Sequence, residues 1–321
     1  MDRALLPGGP ATLTHDGITL QMEEDWTAPD EPTQFQIKTN LQGPVDERAE
    51  DLIGRINFKP LAFGASIATL FTKLFPYTPS MIGSLIFPST DKTAVIQTMT
   101  GGTNDAGQSI TYSAARLTKM PSITFAPNKT MFGPAEITCL VKNGASGGTA
   151  GDFFTVADSA YSEPALSPLD ILTDRYTLAW GSAPAAPFDV IETDDSGIVF
   201  EPQVSLEPVK TSRGGTVNFR ITDVTATIKF RPLNLTIANY RTMFPMEGAS
   251  VVRGKSLSGR GDQLTVTGSA AGMPKLTIPL AAPTKGGLAF GKDGRITEVT
   301  LMALRKSSSG TLQSLFTLAT V

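Results

Sequence analysis

The chain has 321 residues and a formal net charge of −3, and only 18% of its residues are charged. This length suits two domains of ordinary size, and the slightly negative charge disfavours tight binding of nucleic-acid phosphates. A single cysteine excludes an intrachain disulfide framework, and no run approaches the roughly 18 apolar residues that a membrane-spanning helix needs. Glycine and proline are frequent, with 30 and 23 residues, which is typical of many short strands joined by turns.

The first part of the chain predicts an arm followed by a β-rich unit. Met1–Thr12 is predicted as an extended N-terminal arm, and 13–142 as the first unit. Asp16-Gly17 is a turn signal between two short strands. Apolar residues at helical spacing in Ala65–Leu74 predict one helix that ends before Pro76. Further strands are predicted by alternating apolar and polar residues at Gln34–Thr39, Ile53–Pro60, Ser84–Phe87, Ala94–Thr98, Ser109–Leu117, Ser122–Phe125 and Ala135–Val141.

A linker and a second unit of the same kind are predicted to follow. The linker spans 143–175 and begins with a glycine-rich run, Asn143–Gly151. The second unit spans 176–321 and has one predicted helix near Asn234–Met243, which Pro245 ends. Its predicted strands lie at Tyr176–Trp180, Gly197–Leu206, Thr216–Arg231, Val251–Leu257, Gln263–Thr267, Lys275–Pro279 and Ile296–Arg305. Each unit is therefore predicted as antiparallel strands around one short helix.

The two units share short sequence matches in the same order, which indicates an internal duplication. The matches are Asp16–Ile18 with Ser196–Ile198, Ile56–Leu61 with Ile228–Leu233, Phe75-Pro76 with Phe244-Pro245, Lys119–Thr124 with Gly272–Thr277, and Glu136–Thr138 with Glu298–Thr300. Their separations vary between 273 − 120 = 153 and 198 − 18 = 180 residues, as expected when two copies differ mainly in loop length. A period this long indicates a duplicated domain and not a solenoid repeat.

Residues with catalytic or metal-binding chemistry do not form a recognisable site in the sequence. His15 is the only histidine, which excludes histidine triads and multi-histidine metal sites. It is predicted to be an ordinary surface residue beside Asp16. The acidic clusters Glu23–Asp25 and Asp46–Asp51 could supply calcium ligands or a catalytic pair, but they lack the ligand spacing of a calcium loop. Solvated loop charge is the favoured interpretation, and no catalytic, cofactor or metal site is predicted.

Segments in both units resemble the tail tube (major tail) proteins of long-tailed bacteriophages. The similar segments are Gly43–Arg48, Ile56–Pro60 with the following helix, Leu117–Ser122, Ala135–Val141, Tyr176–Gly181, Phe188–Phe200 and Val209–Pro232. In that family the units stack as rings around the channel through which DNA passes. The resemblance implies a mainly β (α+β) fold of two tandem β-sandwich or half-barrel units, each with one short flanking α-helix. It also implies no catalysis and no cofactor.

The resemblance and the duplication together predict a particular assembly. Tail tube proteins with one unit form hexameric rings, so a chain with two units would complete a pseudo-hexameric ring with three copies. The expected partners are further copies of the chain and other tail proteins, with DNA passing through the lumen without specific binding and with no membrane. The expected location is the virion tail, after synthesis in the host bacterial cytoplasm.

A long polar connection is predicted between the strands on either side of Lys38–Asp51, and it is the candidate for contact between stacked rings. The charged residues expected to make this contact are Lys38, Asp46, Glu47, Arg48, Glu50 and Asp51. Long connections in compact domains are commonly functional.

The alternative interpretations of the whole chain are a β-sandwich binding or adhesion module, or a distal tail or baseplate component. A hydrolase on a β-scaffold is disfavoured because the sequence has no usable histidine or paired-acid arrangement.

Overall fold

The computed structural model describes the chain as a series of segments separated by gaps. The described residues are 11–22, 26–28, 30–39, 43–63, 66–87, 92–99, 106–126, 129–141, 153–160, 176–181, 188–211, 215–236, 239–240, 243, 261–269, 271–286, 297–305, 307–308, 311–312 and 314–321. Within these residues strands predominate, which confirms the predicted mainly β fold class.

The first half contains strands β1 to β11 and helix α1. In chain order these elements are β1 Ala11–His15, β2 Ile18–Met22, β3 Asp30–Thr39, β4 Gly43–Phe58, β5 Pro60–Phe63, α1 Ile67–Leu74, β6 Ala94–Met99, β7 Ala106–Tyr112, β8 Ala115–Lys119, β9 Ile123–Phe125, β10 Ala135–Leu140 and β11 Phe154–Ala160. The predicted turn between the first two strands is confirmed, because Asp16 and Gly17 both have positive φ, as a two-residue hairpin turn of type I′ requires.

The second half contains strands β12 to β21. They are β12 Tyr176–Trp180, β13 Phe188–Ile191, β14 Thr193–Thr211, β15 Gly215–Pro232, β16 Asp262–Gly268, β17 Pro274–Lys285, β18 Val299–Ala303, β19 Ser307–Ser308, β20 Thr311–Leu312 and β21 Thr317–Thr320. The strand predicted at Val251–Leu257 lies outside the described residues. The other strands predicted for this half are confirmed, although β14, β15 and β17 are longer than predicted.

Helix α1 confirms the helix predicted for the first unit and starts two residues later than predicted. Its N-cap is Ser66, whose hydroxyl accepts a hydrogen bond from the N–H of Thr69 at 3.3 Å. The apolar face predicted from the spacing is buried, as the side chains of Ile67, Leu70, Phe71 and Leu74 show. The helix is therefore held by the packing of one face against the sheets.

A helical turn in the second half begins in the same way. The hydroxyl of Thr236 accepts from the N–H of Asn239 at 3.2 Å, and its carbonyl accepts from the N–H of Tyr240 at 2.8 Å. In α1 the hydroxyl and carbonyl of Ser66 accept from the residues three and four positions later. The start of the second predicted helix is thus described, while most of its later part lies outside the described residues.

In the described part of the chain the strands form three main sheets, and the strand pairs given there are antiparallel. One sheet has the order β11-β7-β6-β1-β2-β5, and a second has the order β3-β4-β10-β8. The third has the order β13-β12-β16-β17-β18-β15-β14-β9, and β21 also pairs with β17. Because β9 belongs to the first half of the chain, this sheet joins the two halves.

The two halves repeat one topology, which supports the predicted duplication with structural evidence. The path β3-β4-β10-β8 of the first half corresponds to β14-β15-β18-β17 of the second, and β2-β1-β6-β7 corresponds to β13-β12-β16-β17. The separate strands β7 and β8 of the first half correspond to the one long strand β17. Corresponding pairs have similar chain separations, as in Leu13 with Ile96 and Leu178 with Val266.

The closest correspondence is between hairpin 1, formed by β3 and β4, and hairpin 2, formed by β14 and β15. A constant offset of 215 − 43 = 172 residues relates the two hairpins, and each has a register shift at the same two places. The pairs that fix the offset, given for hairpin 1 and then hairpin 2, are Thr39 with Gly43 and Thr211 with Gly215, Phe35 with Arg48 and Glu207 with Arg220, Thr33 with Asp51 and Ser205 with Asp223, and Thr27 with Asn57 and Val199 with Lys229.

The structure shows that three of the five sequence matches are out of register, although the repeated topology still supports a duplication. The match of Ile56 with Ile228 has the right register, since both residues lie at the offset of 172. The match at Glu136 is wrong by two residues, because strand pairing relates Ile137 to Leu301. The match at Asp16 is also wrong, because Asp16 lies in the β1–β2 turn while its proposed counterpart lies within β14.

The match at Lys119 is wrong as well. Lys119 ends β8, which corresponds to the last part of β17, whereas the match placed it before the start of β17. The match at Phe75-Pro76 involves residues of the second half that lie outside the described part of the chain. Duplication is therefore supported by strand pairing more firmly than by the short matches.

Two predicted boundaries also need correction. The predicted arm includes Ala11 and Thr12, but both are buried in β1 and pair with β6. The predicted linker includes β11, which pairs along its whole length with β7. The first unit therefore begins at least two residues earlier than predicted and takes one strand from the linker.

Candidate assembly interface

The six residues predicted to contact an adjacent ring lie in the paired strands of hairpin 1. Lys38 is in β3, and the other five, Asp46, Glu47, Arg48, Glu50 and Asp51, are in β4. The predicted long connection is therefore wrong, because the two strands are paired as far as Thr39 and Gly43 and only three residues join them. Three of the six have identical counterparts in hairpin 2 at the offset of 172, namely Lys210, Arg220 and Asp223.

The outer part of each hairpin extends beyond the strand that flanks it. Strand β10 pairs with β4 only along 53–58, and β18 pairs with β15 only along 227–230. Beyond these residues, no described strand of the same sheet lies beside this edge of β4 or of β15. In hairpin 2 the open edge contacts residues 83–87 of the first half, which we name the docking segment.

The docking segment pairs with β15 through backbone hydrogen bonds. The N–H of Ile221 donates to the carbonyl of Ser84 at 3.0 Å, and the carbonyl of Ile221 accepts from the N–H of Gly83 at 2.8 Å. The carbonyl of Phe219 accepts from the N–H of Ile86 at 3.0 Å. This antiparallel contact joins the two halves by β-augmentation, in which a segment adds to the free edge of a strand.

Asn218 completes the pairing with its side chain. Its amide group donates from Nδ2 to the carbonyl of Phe87 at 2.7 Å, and its Oδ1 accepts from the N–H of Phe87 at 3.0 Å. Oδ1 also accepts from the N–H of Phe219 at 2.8 Å. Asp46 occupies the counterpart position in hairpin 1 (218 − 172 = 46). A carboxylate accepts hydrogen bonds but does not donate them, so the two positions differ in chemistry.

A second contact between the halves is the pairing of β9 with β14. Phe125 lies opposite Ile198, and Ile123 lies opposite Phe200. Gly197 allows the close approach, because a Cβ at this position would lie 2.4 Å from the Cβ of Ala126. Gly197 also has a φ of +73°, which disfavours any side chain. Strand β14 is therefore paired on both edges, by β15 and by a strand of the other half.

Aromatic side chains fill the space behind these two contacts. The ring of Phe316 contacts Phe75 of the first half and Phe200 of the second, with centroid distances of 6.5 and 4.8 Å. Phe125 of β9 contacts Tyr176 of β12 at 5.0 Å. These edge-to-face pairs bury apolar surface from both halves. The junction between the halves is consequently a packed interface and not only a ladder of hydrogen bonds.

A polar cluster holds the docking segment against the first half. Arg116 is buried, and its Nε donates to the carbonyl of Ile86 at 2.9 Å. Asp16 forms ion pairs with Lys92 and, at 3.1 Å, with Lys73 of α1. Burial alone would raise the pKa of Asp16, but the hydrogen bonds from the two lysines outweigh it and hold that pKa below its usual value. The cluster therefore fixes the position from which the docking segment reaches β15.

His15 belongs to this cluster, and the prediction that it is a surface residue is wrong. Its side chain is 8% exposed, and Nδ1 lies 3.0 Å from the carbonyl of Thr93. Burial lowers the pKa of His15, and the hydrogen bond to Thr93 only partly opposes this. The imidazole thus acts as a neutral structural group that ties β1 to the chain before β6.

The remaining candidate residues form no site in the described part of the chain. Glu23–Asp25 lies outside the described residues. Among the residues that are described, no group of three or more His, Cys, Asp or Glu side chains could hold a metal ion. Cys139, the single cysteine of the sequence, is buried. No described helix is long and apolar enough to cross a membrane.

Comparison with known proteins adds no relative to this picture. No protein-family model matches the chain, and no curated protein matches it. The candidate interface therefore depends on the geometry of the hairpins and of the junction.

Sequence reasoning missed the residues that make the junction. Gly197 was interpreted as the start of a strand, and Asn218 was included in a strand with no special role. The repeat offers the missing signal, since aligning Lys38, Arg48 and Asp51 with Lys210, Arg220 and Asp223 would have placed both hairpins in register.

Proposed function

We propose that the chain is a structural subunit of a bacteriophage tail tube, which forms stacked, trimeric and pseudo-hexameric rings around a channel for DNA. The main supporting observation is the junction between the two halves. It joins unlike surfaces, with the docking segment and β9 on one side and β14 and β15 on the other. A contact of this heterologous kind, repeated from unit to unit, generates a closed ring when its rotation closes.

The composition supports a channel that does not hold DNA. The net charge of −3 fits a lumen that repels phosphates and lets DNA slide. DNA is then a passing partner without specific binding, and the lasting partners are other copies of the chain and other tail proteins. Residence in the virion tail, after synthesis in the bacterial cytoplasm, follows from the same proposal.

The stacking of rings is proposed to involve the charged residues of hairpin 1: Lys38, Asp46, Glu47, Arg48, Glu50 and Asp51. The hairpin form changes how this contact would be tested. Deletion of the whole segment would remove more than half of β4 and leave most of β3 unpaired, so substitution is the better test. The triple variant Lys38→Gln, Arg48→Gln and Glu50→Gln is expected to form rings that do not grow into tubes, as counted by electron microscopy.

Electron microscopy of the purified protein tests the proposal as a whole. The expected result is rings or tubes of constant width, and native mass spectrometry is expected to find three chains in each ring. A binding or adhesion module, or a baseplate component that meets other proteins only, would instead remain monomeric or form particles without a central channel. A monomer at all concentrations would contradict the proposed function.

A further inference from the structure

We propose that hairpin 1 accepts the second half of another copy of this chain, in the same way that hairpin 2 accepts the first half of its own chain. The inference rests on the proposed ring-forming function and names the surface on which copies would meet. This acceptor surface has two edges, one along residues 26–28 just before β3 and one on the outer part of β4. Each edge corresponds to an edge of hairpin 2 that already has a partner.

The first edge lies along residues 26–28, which precede β3 and pair with β4 at Asn57, on the side that faces away from β4. In hairpin 2 the corresponding edge of β14 pairs with β9 at Ile198 and Phe200. The offset of 172 places the counterparts of these residues at Trp26 and Ala28. Thr27 between them exchanges hydrogen bonds of 3.0 and 2.8 Å with Asn57. Since backbone groups alternate in direction along a strand, the N–H and C=O of Ala28 point to the opposite edge.

The second edge is on the outer part of β4. In hairpin 2 the groups that bind the docking segment are the carbonyl of Phe219 and both backbone groups of Ile221. Their counterparts are Glu47 and Ala49 (219 − 172 and 221 − 172). Because the two hairpins have the same register and the same two register shifts, these groups point away from β3. Among the described residues no segment pairs with them.

A second copy fits these edges better than an unrelated partner. The acceptor groups in hairpin 1 have the same order and spacing as those in hairpin 2, and hairpin 2 binds a unit of the same kind. An open strand edge of this length is a template for pairing with another chain. In the described residues the first half supplies two donor segments, β9 and the docking segment, to its own chain, while its acceptor edges have no partner. A contact in which these edges accept the second half of another copy would therefore run from head to tail. The counterparts of β9 and the docking segment in the second half lie outside the described residues.

The experiment removes one backbone donor at each edge without removing the hairpin. Ala28→Pro and Ala49→Pro each delete an N–H that points away from the partner strand within the hairpin. Proline is tolerated at such edge positions, and β3 and β4 already contain Pro32 and Pro44. The matched controls are Ala28→Ser and Ala49→Ser, which keep the N–H. Mass photometry over a range of concentrations measures the dissociation constant, and circular dichroism with a thermal melt checks the fold.

Each proline variant is expected to raise the dissociation constant of assembly roughly tenfold or more, because a lost strand hydrogen bond leaves its partner unpaired, and each serine control is expected to change it less than about twofold. Hydrogen exchange of the wild-type protein gives a second measurement that needs no variant. The amide of Ile221 should be protected in both monomer and assembly, and the amide of Ala49 should be protected only in the assembly.

The outcomes separate this inference from the proposed function. Wild-type assembly with unchanged dissociation constants for both proline variants, and with an unprotected Ala49 amide, would overturn the inference and leave the ring-forming function standing. A wild-type protein that stays monomeric would overturn both. If a proline variant unfolds, protection of the Ala49 amide in the wild-type assembly decides the matter by itself.

Discussion

Replacing Asn218 with alanine tests whether the junction between the halves is held as the structure describes. The substitution removes three hydrogen bonds of 2.7 to 3.0 Å, two to Phe87 and one to Phe219. Each bond contributes about 0.5–1.5 kcal/mol net, and the backbone groups left behind are partly reached by water. We therefore expect the junction to lose about 2–4 kcal/mol of stability, which is one of the larger losses that a single polar substitution causes.

Hydrogen exchange is the decisive assay for this variant, because a protein with two units need not unfold in one step. A loss of about 2–4 kcal/mol corresponds to a rise of about 30- to 1,000-fold in the exchange rates of amides protected by the junction. The amides of Ile86 and Ile221 should show this rise, while those of β16 should not. Asn234→Ala is the control, since Asn234 is exposed and its Oδ1 accepts from the N–H of Glu192 at 2.9 Å, away from the junction. Unchanged exchange at Ile86 in the Asn218 variant would refute the reasoning.

Three further predictions concern the core, the junction and the polar cluster. Phe71→Ala should cost about 3–5 kcal/mol in denaturant unfolding, because the ring is buried against Phe75 and Phe132; the exposed Thr72→Ala is the control, and equal midpoints would contradict the packing. Gly197→Ala should cost about 1–3 kcal/mol, because its Cβ would meet Ala126 and its φ is +73°, and exchange at β9 amides measures it. The pKa of His15 is lowered by burial, so the unfolded state takes up the proton first as the pH falls below about 6.5. Stability is then complete above that pH and declines below it, and a His15→Gln variant should show less decline between about pH 7.5 and pH 5.5 in thermal melts; an equal decline would exclude His15 as the cause.

The parts of the fold that local chemistry determines could be predicted from the sequence. The Asp16-Gly17 turn needs only residues that tolerate positive φ, and the apolar face of α1 needs only the right spacing. The mainly β class followed from alternating strands such as Ile56 and Phe58, which are buried on one face. These features depend on neighbours within one turn or one strand.

The outer hairpins could not be predicted from the pattern because they extend beyond the sheets. The polar residues of Lys38–Asp51 do not alternate with apolar ones, so the segment resembles a loop in the sequence although β3 and β4 are paired as far as Thr39 and Gly43, with two register shifts. The burial of His15 was missed because its hydrogen-bond partner, Thr93, is 78 residues away in the chain. The roles of Asn218 and Gly197 arise only where the two halves meet, and a single strand gives no sign of them.

In the proposed ring, the covalent connection between the two units would limit the errors that ring closure can make. Free units that associate through one kind of joint can enclose five or seven members when the angle between neighbours drifts slightly. A chain in which Gly197 and Asn218 already fix one joint adds units only in pairs, so every closed ring holds an even number of them. The nearest incorrect ring then differs by two units, and it requires a larger change of angle at every joint. If the chain forms the proposed ring, fusion of the units improves the fidelity of its diameter without any increase in the strength of a single contact.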